Sequence, residues 1–92
     1  MEVKVIKKDK NLLEVELRGE SVGFVNLIKE ELWNDKDVDE AAYVKEHPYM
    51  SEPKLYVKTK EKEPKKVVEN ALKRIQSQLK ELNGEFSRAL KD

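Results

Sequence analysis

The last third of the chain carries apolar residues spaced alternately by four and three. They are Val68, Leu72, Ile75, Leu79, Leu82, Phe86 and Ala89. This spacing predicts one long helix with a narrow apolar stripe, beginning at Pro64, a residue well suited to a first helical position. Such a helix of about 27 residues rises roughly 40 Å, whereas a compact globule of this length spans only about 30 Å. We therefore expect Val68 to Ile75 to lie on the chain's own sheet, and the rest of the stripe to be covered by a partner.

Gly84 interrupts this helical pattern. A glycine inside a helix costs about 1 kcal/mol relative to alanine, so Asn83 and Gly84 could instead end the helix after Leu82. Because Phe86 and Ala89 keep the phase of the stripe, we expect a continuous helix.

Two shorter patterns near the N-terminus alternate with a period of two. Apolar and charged residues alternate from Leu13 to Arg18, as in a strand with one buried face, and Val3 and Val5 continue the pattern upstream. Asp9 to Asn11 supplies polar turn residues between the two segments. We interpret Glu2 to Lys8 and Leu12 to Arg18 as an antiparallel hairpin.

An amphipathic helix is predicted after Gly19. Ser21 can cap it, and its apolar face contains Phe24, Leu27, Ile28 and Leu32. Trp33 follows at its end, either as a core residue or as an interface anchor. Neighbouring Glu30 and Glu31 are expected to be solvated.

Two further strands are predicted, from Val38 to Glu46 and from Leu55 to Thr59. His47-Pro48 ends the first of them because proline has no amide proton to donate. The order β-β-α-β-β-α indicates an α+β fold in one domain, residues 1–92. We expect a four-stranded antiparallel sheet with both helices on one face.

The composition narrows the range of functions. Lysine plus arginine and aspartate plus glutamate number 19 each, so neither nucleic acid nor an anionic membrane is a predicted partner. The chain has no cysteine, which favours a cytoplasmic location, and no apolar run long enough to cross a membrane.

No catalytic, cofactor or metal site is predicted. His47 is the only histidine, and the acidic residues lie on faces that are expected to be solvated. Five lysines lie close together at the end of the fourth strand, interrupted by Glu61 and Glu63. They are Lys58, Lys60, Lys62, Lys65 and Lys66. We interpret them as a solvated loop rather than a phosphate-binding site.

Several short motifs along the whole chain occur in the order and spacing of a known family. They are Gly19-Glu20, Asn26-Leu27-Ile28, Ala42-Tyr43, Glu46-His47-Pro48, Pro53 with Lys54 to Thr59, Pro64 and Ala71-Leu72. Together they resemble the archaeal DNA-directed RNA polymerase subunit L family. Two segments depart from it. Ser21-Val22-Gly23 replaces the family's usual Asp-His-Thr, and Lys60 to Glu63 replaces a turn that often contains glycine.

The resemblance implies a small non-catalytic subunit, related to the dimerisation domain of the bacterial RNA polymerase alpha subunit. In this family it pairs with the D subunit of RNA polymerase, and the heterodimer is the platform on which the large catalytic subunits assemble. We expect the partner interface to contain eight residues from the two helices: Phe24, Ile28, Leu32, Trp33, Leu79, Leu82, Phe86 and Leu90.

A different hypothesis is a stand-alone homodimeric module with a regulatory or nucleic-acid-binding role. The docking geometry, self-association of the isolated chain, contact of the lysine cluster with nucleic acid within the complex and the role of His47-Pro48 are left open.

Overall fold

The computed structural model describes residues 2–44 and 52–91. Their elements are β1 (Glu2–Asp9), β2 (Leu12–Arg18), α1 (Val22–Leu32), β3 (Val38–Val44), β4 (Lys54–Thr59) and α2 (Pro64–Ala89). The predicted order β-β-α-β-β-α is therefore confirmed. The predicted end of the third strand at Glu46, and the His47-Pro48 pair, lie outside the described residues.

The four strands form one antiparallel sheet in the order β1-β2-β4-β3. Leu13 lies opposite Val57, and Val57 lies opposite Ala41. All three are buried, since side chains of paired residues point to the same face of a sheet. This face of β2, β3 and β4 is therefore the floor of the hydrophobic core.

The opposite face of the sheet is charged. Glu16 on β2 lies between Lys4 on β1 and Lys54 on β4, and Glu40 lies opposite Lys58. Each pair of opposite charges at facing positions contributes about 0.2–1 kcal/mol to the stability of the sheet. This charged face is therefore suited to contact with water.

Both helices cover the apolar face. The hydroxyl of Ser21 accepts a hydrogen bond from the Phe24 amide at 3.1 Å, which confirms the predicted cap. The helices contribute six side chains that are at most 5% exposed: Val25, Ile28 and Leu32 from α1, and Val67, Ala71 and Ile75 from α2. The core is thus a sheet and two helices in two layers.

The turn before α2 is held by acidic residues in the turn that precedes β3. The Asp37 carboxylate accepts hydrogen bonds from the amides of Lys62 at 2.7 Å and Glu61 at 3.1 Å. The ammonium group of Lys62 pairs with Asp35 at 3.4 Å, and the Thr59 hydroxyl donates to the Lys62 carbonyl at 2.6 Å. The predicted solvated loop is therefore an ordered turn that fixes where α2 begins.

Helix α2 extends well past the sheet. It has 26 residues and runs without interruption through Gly84, as predicted. After Ile75 none of its described residues is buried, and the molecule is 51 Å long in its longest dimension. The helix therefore projects from the domain.

Replacing Gly84 by alanine should stabilise the projecting end of α2. No atom lies within 4 Å of a methyl group placed there, and alanine favours a helix by about 0.5–1 kcal/mol. We expect amide hydrogen exchange in residues 85–91 to slow by about two- to fivefold. Gly23→Ala, in the first turn of α1, is the control and should leave these amides unchanged. Equal exchange in Gly84→Ala and the parent chain would contradict the prediction.

Stability should depend on the ionisation of Asp37. The hydrogen bond from the Lys62 amide, with that from Glu61, lowers the pKa of Asp37 below its usual value of 3.8. A depressed folded-state pKa contributes stability above the unfolded value, and this contribution is lost as the pH falls through the folded value. The parent chain should therefore be more stable than Asp37→Asn at neutral pH, with the difference shrinking below about pH 4.

Thermal unfolding at a series of pH values measures this effect. Asp39→Asn, which changes an exposed carboxylate two residues further along the chain, in β3, is the matched control. A stability difference between Asp37→Asn and the parent that does not change with pH would rule out the contribution of the carboxylate.

Candidate partner-binding surface

Helix α2 carries two apolar stripes. Val67, Ala71 and Ile75 face the core and are 0%, 0% and 5% exposed. Val68 is only half-buried, and Leu72 is 39% exposed. The prediction that the stripe from Val68 to Ile75 lies on the chain's own sheet is therefore confirmed for Ile75 and in part for Val68, which packs against the core. It is wrong for Leu72. Neighbouring residues on a helix are about 100° apart, so a layer that buries Val67 and Ala71 completely leaves Leu72 exposed.

Strand β1 also has an uncovered apolar side. Val3 and Val5 lie opposite Leu17 and Val15 and so face the helices. Each valine is nevertheless 55% exposed, because the helices make their main contacts with the other three strands. A bulge at Ile6, where the register shifts, separates these valines from the basic end of the strand.

The uncovered side chains of β1 and α2 border a concave groove with a volume of about 320 Å³, which we call the groove. It is lined by Val3 and Val5 from β1, Phe24 and Ile28 from α1, and Val68 and Leu72 from α2, above core residues of β2 and β4. Its charged lining residues are Lys8, Lys65 and Glu69. A mainly apolar concavity with a few charges is suited to hold the apolar side chains of another protein.

The projecting half of α2 carries a convex apolar surface, which we call the ridge. Its members Leu79, Leu82, Phe86 and Leu90 are 56%, 51%, 58% and 77% exposed. By helical spacing most of the residues beside the ridge are uncharged. These uncharged neighbours are Gln76, Gln78, Asn83 and Ser87. Glu85 also lies beside the ridge, and its carboxylate pairs with Arg88. A contiguous exposed apolar patch with few adjacent charges is typical of a protein interface.

An ion pair fixes α2 at the point where it leaves the domain. Arg74 Nε donates to Glu31 Oε1 at 2.6 Å, and Arg74 Nη2 donates to the Glu31 carbonyl at 3.2 Å. Asn34 donates to the other carboxylate oxygen at 3.2 Å. Glu31 is only 8% exposed, so the expectation that it is solvated is wrong. Arg74 precedes Ile75, the last buried residue of α2, and the pair therefore ties the end of α1 to the last anchored turn of α2.

The structure separates the predicted interface residues of α1. Phe24 is half-buried and lines the groove, and Ile28 lines it although it is only 3% exposed. Leu32 is fully buried in the chain's own core, because α2 crosses the end of α1 that carries it. Its position does not support a direct contact with a partner. Trp33, the C-cap of α1, is 50% exposed and lies outside the groove.

Other kinds of site are not found in the described part of the chain. Residues 2–44 and 52–91 contain no group of three or more histidines, cysteines or carboxylates that could hold a metal ion. Across the same residues, neither helix combines the length and apolar character needed to span a bilayer.

A family model described as the RNA polymerase Rpb3/Rpb11 dimerisation domain matches residues 12–85. The chain belongs to this family. Among its relatives, DNA-directed RNA polymerase subunit Rpo11 of Thermococcus sibiricus is 41% identical, over 89% of this chain and 90% of the relative. The Rpo11 subunit of Methanosarcina acetivorans is 39% identical, over 97% of each chain.

A solved structure shows the same architecture for this Rpb3/Rpb11 family. The crystal structure of DNA-directed RNA polymerase subunit L from Thermoplasma acidophilum matches with a TM-score of 0.88 and 28% identity. The match covers 98% of this chain and 89% of the other. It confirms the family resemblance inferred from the sequence motifs and the fold with a long C-terminal helix.

Removing the Arg74 guanidinium should destabilise this Rpb3/Rpb11-family fold. Arg74→Met leaves the buried Glu31 carboxylate without its main donor, and we expect a loss of about 1–3 kcal/mol in the free energy of unfolding. The loss is below that of a fully buried pair because the Arg74 side chain is 37% exposed. Urea unfolding measures it. Lys73→Met, at an exposed neighbouring position, is the control, and equal stability of the two variants would contradict a role of the pair.

Proposed function

We propose that the chain is a non-catalytic assembly subunit of an archaeal DNA-directed RNA polymerase. In this proposal it forms a heterodimer with the polymerase's D subunit in the cytoplasm, and the heterodimer is the platform for the large catalytic subunits. The names of the relatives and the dimerisation domain support the polymerase. The observation that carries the role as a dimerising subunit is the apolar surface formed by the groove and the ridge.

The groove and the ridge are parts of one surface because α2 contributes to both. Its outward stripe forms a wall of the groove at Val68 and Leu72 and continues into the ridge from Leu79 to Leu90. A helix of the D subunit lying in the groove would therefore continue along the ridge. Burying one large apolar side chain completely is worth about 1.5–3 kcal/mol, and these side chains are about half exposed, so several must contribute together to offset the entropy of association.

The charge distribution favours this role over a nucleic-acid-binding module. The outer face of the sheet alternates in charge, and the ammonium group of Lys62 is paired with Asp35. Both features lower the net positive field that would attract a phosphate backbone. The chemistry of nucleotide addition belongs, in this proposal, to the large subunits.

A charge on the ridge should prevent pairing with the D subunit. We expect Leu82→Asp and Phe86→Asp each to weaken binding by about 100-fold or more, because each would bury a carboxylate without a partner at the centre of the interface. Co-purification and isothermal titration with the D subunit measure the loss. Circular dichroism should show the same fold, since both side chains lie outside the core.

Ser77→Asp is the matched control for these variants. It adds the same charge at an exposed position on the opposite side of α2, and it should bind the D subunit as the parent does. Normal pairing of both ridge variants would refute the proposed interface.

A further inference from the structure

We infer that the outer edge of strand β3 binds an extended, basic segment of another protein, which pairs with it as a fifth strand of the sheet. The site consists of residues 40–44 of β3 and of the side of α1 that projects over them. Strands β1 and β3 lie at opposite edges of the sheet. The site is therefore separate from the groove and the ridge, and the inference goes beyond the proposed function.

Strand β3 offers an open edge for pairing. Among residues 2–44 and 52–91 its one hydrogen-bonded neighbour is β4. From Glu40 to Val44 the pairing with β4 is regular, since the irregularity of this strand comes earlier, between Val38 and Glu40. Backbone groups of successive residues in a strand point alternately to its two sides. In this run, about 17 Å long, alternate residues therefore direct their N–H and C=O groups away from β4.

The two edge strands differ in how they are protected. Edge strands of soluble proteins usually carry lysines, prolines or bulges, which prevent pairing with other chains. Strand β1 has three lysines and a bulge at Ile6, in the middle of the strand. Strand β3 contains neither lysine nor proline, and Ala41 and Ala42 give its regular part small side chains. The edge formed by β3 therefore lacks the features that prevent pairing at the other edge.

Helix α1 projects over the edge of β3. It packs on β3 and β4, whereas α2 packs on β2 and β4. Glu31 marks the side of α1 that faces α2, because it pairs with Arg74. Lys29 and Trp33 are each two residues from Glu31, about 200° around the helix, and so lie on the side over the edge. Trp33 is 50% exposed, and tryptophan is enriched in binding surfaces. An added strand would place the side chains of its inner face below this side of α1.

The charges at the edge favour a basic segment. On the outer face of the sheet Glu40 lies opposite Lys58, and both Asp39 and Glu40 are exposed. An arginine of the added strand beside Glu40 would continue the alternation of charge across this face, and opposite charges at facing positions stabilise strand pairs. A second copy of β3 could not supply this charge, because the strand contains no basic residue.

Antiparallel addition determines the pattern of the segment. All strand pairs described for the sheet are antiparallel. Read towards its C-terminus, an antiparallel segment faces Val44, Tyr43, Ala42, Ala41 and Glu40 in turn. Tyr43 and Ala41 contribute to the core, so the second and fourth residues of the segment should be apolar and the fifth basic. The peptide acetyl-Thr-Val-Thr-Val-Arg-Lys-amide has this pattern and serves as the probe.

Titration of the complete 92-residue chain with this peptide tests the inference. Trp33 is the only tryptophan, so its fluorescence reports binding beside the edge. We expect a dissociation constant of about 10–100 μM and slower hydrogen exchange of alternate amides in residues 40–44. Unchanged fluorescence and unchanged exchange of these amides at millimolar peptide would overturn the inference.

Charge reversal tests the proposed chemistry of the segment. Glu40→Lys should weaken binding of the peptide by about three- to tenfold, and a peptide with glutamate in place of its arginine should bind this variant more tightly than the parent chain. Glu81→Lys makes the same change at an exposed position of α2 and should bind the basic peptide as the parent does. Circular dichroism confirms that each variant is folded. Equal binding of the basic peptide by Glu40→Lys and the parent would overturn the selection for a basic segment.

Two N-methylated peptides test strand addition itself. One carries methyl groups on the first, third and fifth amides, and the other on the second, fourth and sixth. In an added strand one of these sets points to β3 and the other to solvent. We therefore expect one peptide to lose binding and the other to retain it within about threefold. Equal binding of the two peptides would overturn pairing through the backbone.

Two further measurements separate this inference from other occupants and from the proposed function. Protection of the alternate β3 amides that increases with the concentration of the chain alone would mean that a second copy occupies the edge, and would overturn the basic segment. The D subunit should leave peptide binding unchanged, because the groove and the ridge lie away from β3. A chain that pairs with the D subunit but does not bind the peptide overturns this inference and leaves the proposed function in place. A chain that binds the peptide but not the D subunit supports this inference and overturns the proposed partner.

Discussion

The length of α2 relative to the sheet is the constraint on which the rest of the structure depends. The buried residues of α2 lie between Pro64 and Ile75, about three turns, whereas the helix has 26 residues. The first half of the helix is therefore a core element, and the second half is an exposed arm. The two stripes of α2 add a second division, around the helix: one stripe closes the chain's own core, and the other stays exposed. In the proposed heterodimer, folding and assembly therefore use different faces of the same helix.

The strand order of the sheet leaves the exposed stripe of α2 uncovered. With the order β1-β2-β4-β3, the first strand lies at an edge, and the helices cover the other three. A third helix, or a shift of α2 towards β1, would close the groove and remove the binding surface. In the proposed heterodimer, the exposed valines of β1 are the chain's share of a core that two proteins complete.

The sequence pattern predicted most of the fold because local rules decide it. Alternation located the strands, and Ser21, Pro64 and the phase of the stripe across Gly84 located the helices. What it could not give was the angle at which α2 crosses the other elements. That angle decides that Val67 is fully buried while Val68 is half-buried, and that Leu32 is fully buried while Phe24 is half-buried. The pairing of Glu31 with Arg74 joins residues 43 positions apart, and two charged residues on separate helices carry no signal of their contact.

The ion pair between Glu31 and Arg74 also controls where the far end of the arm lies, because a small change of angle at the pair produces a large displacement at the tip. From Arg74 to Leu90 the helix extends about 24 Å beyond its last fixed point, so a tilt of only about 10° at the pair would displace the tip by about 4 Å, close to the width of a leucine side chain. In the proposed heterodimer, the position of the arm relative to its partner is therefore set at its base, by the hydrogen bonds between Arg74 and Glu31. Substitutions at Glu31 or Arg74 would therefore change the direction of the arm, and with it the fit to a partner, while every residue of the contact surface stays the same.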